Sequence, residues 1–129
     1  MANTDNIKTF VAAEAIDEFE VVSINAAGKV SLPSGADDDG IVGVAQRTVA
    51  IGDVVEVLIH GVTRVKAGAA ITFVTTPLLM AATDGEVVAA TGTGAYPIAR
   101  VLPNINQLST AGAGEQFSAF FFGPSVALA

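Results

Sequence analysis

Residues 52–61, GDVVEVLIHG, alternate apolar and polar side chains between two glycines, and residues 114–123, GEQFSAFFFG, repeat that glycine-to-glycine frame. Alternation with period two is the signature of a strand with one face buried. In the first frame it places Val55, Val57 and Ile59 on the core side and Val54, Glu56, Leu58 and His60 on the outward side. The same register in the second frame puts Phe117, Ala119 and Phe121 inward. Gln116, Ser118, Phe120 and Phe122 then point outward, so Phe120 and Phe122 stand where the first frame has Leu58 and His60.

Working outward from these frames, the chain is a series of short segments rich in Val, Ile, Phe and Thr, broken by Gly, Pro, Asn and Asp. The spacing predicts strands near residues 9–12, 20–25, 29–32, 41–47, 53–60, 62–66, 78–81, 86–90, 96–102 and 116–122. This rhythm is that of an all-β sandwich or barrel with little helix. EAIDEFE (14–20) offers one helical turn at most. NAAGKV (25–30) and ATDGEV (82–87) read as tight turns in which Gly28 and Gly85 supply a positive φ.

The two frames are the last of three matches that keep their order. AIDEFEVVSINAAGKV (15–30) aligns with AITFVTTPLLMAATDGEVV (70–88), and IVGVAQ (41–46) with PIARVL (97–102). We expect a diverged tandem repeat of about 56–62 residues, with half-repeats near 11–66 and 67–129 forming a single β domain. NINQLSTAGA (104–113) is an insertion in the second copy. Residues 1–10, polar and without periodicity over most of their length, are expected to form a flexible N-terminal arm.

Composition limits the chemistry. A chain of 129 residues buries roughly two thirds of the surface its unfolded form exposes, so it needs no metal or disulfide to fold. It has no cysteine, which excludes thiol nucleophiles, zinc ribbons and iron–sulfur sites. Net charge is −7, and the six Lys and Arg are spread thinly, so no nucleic-acid partner is expected, because such binding rests on neutralising phosphates. The N-terminal MANTDNIKTF matches neither a secretory signal nor a transit peptide. No apolar run reaches the roughly 20 residues of a bilayer span, so no membrane partner is expected either. Hydrophobic residues make up 51% of the chain and charged ones only 15%, a balance that points to an assembly subunit whose apolar surface another chain covers.

Catalytic constellations are not evident. His60 is the only histidine, and Asp53, seven residues away on the same strand, lies about 23 Å from it along an extended chain and cannot orient its ring. Asp37, Asp38 and Asp39 lack the alternating acids and closing glutamate of a calcium loop and read as a solvated acidic turn. GTGAYP (92–97) lacks the Lys-Ser/Thr and the helix of a phosphate loop. Asp17, Glu18 and Glu20 alternate with Phe19 and Val21 as a solvated face. We therefore expect no enzyme, no cofactor and no metal. A second reading is a small-ligand or glycan-binding β module, although Tyr96 is the sole tyrosine and there is no tryptophan. Neighbouring outward phenylalanines suit a subunit contact, so Phe120 and Phe122, with Leu58 and His60, are the expected homo-oligomer interface.

The succession AIDEFEVVSINAAGKV, GIVGVAQRTVAIGDVVEVLIHGVTRVKAGAAI and LLMAATDGEVV resembles the small capsid decoration, or cement, proteins of tailed bacteriophages. The resemblance covers residues 15–90 well and the remainder loosely, departing at the NINQLSTAGA insertion and the triple phenylalanine. It implies a structural virion protein, made in the host cytoplasm, that binds the outer surface of the expanded head as a homotrimer. It would stabilise the head by clamping neighbouring major capsid proteins. On that view Ile7, Thr9 and Phe10 in the arm are expected to contact the capsid.

Overall fold

Strand-like alternation between glycine turns becomes two stacked sheets in the computed structural model, which describes residues 6–35, 38, 40–91, 96–104, 107 and 109–123. In chain order the strands are β1 (Ile7–Val11), β2 (Val21–Ile24), β3 (Val30–Ser31), β4 (Ile41–Ala45), β5 (Val54–Leu58), β6 (Gly61–Lys66), β7 (Ile71–Thr72), β8 (Leu78–Ala81), β9 (Val87–Ala89), β10 (Ala99–Val101), β11 (Thr110–Ala111) and β12 (Gln116–Phe121). The first sheet runs β1-β5-β4-β2-β3 and the second β6-β12-β10-β8-β9, with β11 and β7 forming a small third ladder. All these pairings are antiparallel. No α-helix occurs among the described residues; EAIDEFE forms a turn in which Phe19 takes φ 66°.

The two large sheets follow one connection pattern, and their local bonds agree in detail. The Ala12 N–H donates to the Asp53 carbonyl at 2.8 Å, as the Ala67 N–H does to the Glu115 carbonyl at 2.8 Å. The Gly52 N–H returns a bond to Ala12, and the Gly114 N–H one to Ala67. A parallel bridge joins Ala12 to Val30, and another joins Ala67 to Val87. The glycines that bound the two frames therefore close equivalent turns, at φ 87° and 84°. On this topology β6 heads the second sheet, whereas the sequence reading placed it at the end of the first half. The expected arm also divides: residues 1–5 lie outside those described, and Ile7–Phe10 belong to β1, in register with β5.

Each sheet has its own core. Under the first, Val22, Ala45, Val55 and Val57 pack against Ala12, Ile16 and Val49 from the adjoining turns. Under the second, Val65, Leu79, Val101, Phe117, Ala119 and Phe121 pack with Ile71, Phe73 and Ala111. The opposite side of the first sheet, carrying Val21, Ile41, Val44 and Leu58, joins this second core and makes the sandwich. Three polar links tie the halves: Val21 N–H to the Gly85 carbonyl at 2.8 Å, Gln46 Nε2 to Thr63 Oγ1 at 3.1 Å, and a Lys66–Asp17 ion pair at 3.9 Å.

Close packing dictates two small residues, Gly85 at this junction and Gly43 within the first sheet. At Gly85, φ is 87° and a Cβ would lie 2.9 Å from the Glu20 Cβ. At Gly43, where β4 pairs with β5, a Cβ would collide with the Leu58 carbonyl oxygen, so the strand itself would have to move. Gly43→Ala is expected to cost about 1–3 kcal/mol by overpacking, read as a lower urea midpoint with an unchanged slope; an unchanged midpoint would show that the sheet yields freely there.

Glu20 sits at the same junction. Burial raises its pKa from the usual 4.5, the charges of Asp17 and Asp84 add to that rise, and the Asp17 N–H and Lys66 oppose it. Because the folded value is raised, the stability linked to this group is fully present below 4.5 and is lost as pH climbs through the folded value. Glu86, close to Asp84, shifts in the same direction, first by burial. Glu20→Gln preserves an acceptor for the Asp17 N–H, a 2.9 Å bond, and removes the charge. Its melting temperature is expected to exceed that of the unsubstituted protein at neutral pH and to converge with it as pH falls toward the usual glutamate range. Equal melting temperatures throughout would show that the Glu20 charge does not burden the junction.

Candidate functional site

The outer face of the second sheet is built by cross-strand register. Val62 on β6 stands opposite Phe120 on β12, Phe120 opposite Arg100 on β10, and Arg100 opposite Leu78 on β8. One row thus crosses four strands with three apolar side chains and a guanidinium. Val62 is 63% exposed and Leu78 37% exposed, Arg100 is exposed and Phe120 half-buried. Arg64, opposite Ser118, lies in the adjacent row on this face. Lys66, opposite Gln116, follows on the same side of β6 and pairs with Asp17, so three of the chain's six cations stand on one face of a protein of net charge −7.

The expected interface residues mostly come together here. The His60 ring meets Phe120 edge-on, with centroids 5.0 Å apart and planes at 85°, and Phe120 and Phe122 are 6.5 Å apart. Such aromatic contacts fix ring orientation and leave apolar area available at the rim. Leu58 does not belong with them. It has the outward register expected, but the second sheet covers that side, leaving it 9% exposed in the inter-sheet core. Leu58 is thus an internal packing residue and is unavailable to another subunit. Arg100, Val62 and Leu78 were not singled out from sequence, because only the pairing of distant strands aligns them with Phe120.

At the margin of the first sheet, β1 is an edge strand, and its start lies beside the segment that carries His60: the Ile59 N–H donates to the Asn6 carbonyl at 2.8 Å. Ile7 is 41% exposed, Thr9 is exposed, and Phe10 is half-buried and packs against the core of the first sheet. Alternation explains this split: Ile7 and Thr9 share one side of β1 and Phe10 takes the other.

The acidic positions serve turns. Asp38 accepts from the Ser23 hydroxyl at 3.1 Å, the Ser34 N–H at 3.0 Å and the Gly40 N–H at 2.8 Å. Burial opposes its ionisation, but these donors outweigh it and hold its pKa below the usual carboxylate value. Asp37 and Asp39, and residues 92–95 of GTGAYP, lie outside the described residues. Asp53 accepts from the Ala50 N–H at 3.1 Å. Asp17, Glu18 and Glu20 belong to a turn rather than to an alternating strand, and Glu20 is half-buried. Among the described residues no three His, Asp or Glu side chains group as a metal site, and every buried side-chain polar atom has a partner. What this arrangement offers chemically is adhesion: apolar area, aromatic edges and two guanidinium groups on a rigid sheet.

Comparison with known proteins agrees with that chemistry. No curated protein matches the chain. Among solved structures, the head fiber gp8.5 N base of bacteriophage phi29 superposes with a TM-score of 0.64 at 15% identity, over 93% of this chain and 97% of that one, and so shares the fold. The profile of the phage cement proteins matches residues 1–114. That match spans most of the chain's length, and the chain belongs to the phage cement protein family.

Proposed function

We propose that this structural phage protein binds the outer surface of the assembled capsid as a homotrimer and stabilises the head by clamping neighbouring major capsid proteins. The observation that carries the reading is the open apolar row of the second sheet, joined to membership of the cement family. A rigid sheet that displays Val62, Phe120 and Leu78 gains free energy only when another protein covers them.

In this reading the outer face of the second sheet and the edge strand β1 have different duties. His60, Phe120 and Phe122 serve contact between copies. Ile7 and Thr9, on the exposed side of edge strand β1, meet the capsid, while Phe10 anchors that strand to the sheet beneath. An edge strand also offers unpaired backbone groups to a partner strand. The protein is made in the host cytoplasm and ends on the virion exterior.

Co-sedimentation with expanded, undecorated capsids tests the proposal. Stoichiometric pelleting with capsids, together with a higher rupture temperature of the decorated heads, is expected. Ile7→Asp is expected to weaken capsid binding about tenfold, equivalent to about 1.4 kcal/mol, with the melting temperature of the free protein preserved. Protein that stays in the supernatant, or decorated heads that rupture with undecorated ones, would overturn the capsid role.

A further inference from the structure

Within the chain, the cross-strand row Val21–Val44–Leu58 of the first sheet is buried against the second. Its topological counterpart in the second sheet is Leu78–Arg100–Phe120, paired in the same manner on β8, β10 and β12. Val21 is 0% exposed and Leu78 is 37% exposed. The second half thus presents the face that the first half has already buried.

The receiving side shows the complementary difference. In the second sheet Ala81, Ile98 and Phe121 are buried within the shared core. Their counterparts in the first sheet are Ile24, Val42 and Ile59, by the equivalence of the β2–β3 pair Ile24↔Val30 with the β8–β9 pair Ala81↔Val87 and of the glycine frames. Ile24 is 42% exposed against 2% for Ala81, and Val42 and Ile59 are only half-buried. Among the described residues, no sheet covers the first half as the first half covers the second.

We propose that a second copy of this chain supplies the missing cover: the Leu78–Arg100–Phe120 row of one copy docks on the Ile24, Val42 and Ile59 surface of the next, repeating the contact made inside each chain. This deepens the oligomer proposed above by naming which faces meet. The contact is heterologous, and it closes a ring if the rotation between copies divides a full turn.

The test uses two exposed positions, one on each face, in the full chain without capsid. Leu78→Asp damages the presenting face and Ile24→Asp the receiving face; melting curves establish that both variants are folded, with Phe120→Ser and Val42→Ser as second variants for either face. By light scattering the unsubstituted protein is expected to be an oligomer and each variant alone a monomer. A mixture of the two is expected to form a one-to-one dimer through the single intact pair of faces. The proposal is overturned if the unsubstituted protein is monomeric, if Ile24→Asp retains the oligomer that Leu78→Asp loses, or if the mixture stays monomeric. Because no capsid is present, any of these results leaves the co-sedimentation test of capsid binding independent.

Discussion

The structure depends on burying one row, Val21–Val44–Leu58, that strand alternation alone would leave facing water. The first sheet has a small core beneath it, made with turn residues Ala12, Ile16 and Val49, so its other side is free to become an interface. Complete burial of a Val or Leu side chain is worth about 1.5–3 kcal/mol, and three in register give the halves a strong reason to stack. The polar links at the junction, from Val21 to Gly85 and from Gln46 to Thr63, fix the alignment of surfaces that hydrophobic burial brings together.

The same device accounts for the molecule's chemistry. A sheet that is apolar on both sides cannot end a stack without leaving one face open, and the second sheet leaves Val62, Phe120 and Leu78 in that position. Acidic side chains shape local geometry: Asp38 and Asp53 accept backbone N–H groups in turns, and Glu56 pairs with Arg47 at 2.7 Å on the surface.

Local features of this fold were legible in the sequence because they are written in neighbouring residues. Alternation in VVEVL and QFSAFF located β5 and β12 and their core sides, and Gly28 and Gly85 marked turns whose φ values, 77° and 87°, agree. The two-residue strands β7 and β11 were missed because a pair such as Ile71–Thr72 is too short to show a period. Leu58 was given its correct side but not its environment, since which face a second sheet covers is a long-range fact. The row through Arg100 was invisible for the same reason: Val62, Leu78, Arg100 and Phe120 are neighbours only after four strands have paired. The strand expected near 9–12 starts two residues earlier, because Ile7 and Lys8 show no alternation of their own and join β1 only by pairing with β5.

A side-chain-resolution reconstruction of capsids bearing the bound protein tests the central claim most directly. The account predicts that Leu78, Arg100 and Phe120 of each copy are covered by Ile24, Val42 and Ile59 of its neighbour, in the arrangement that joins the two halves of one chain. Copies that leave this row open to solvent, or that pair it with itself across a twofold axis, would contradict it.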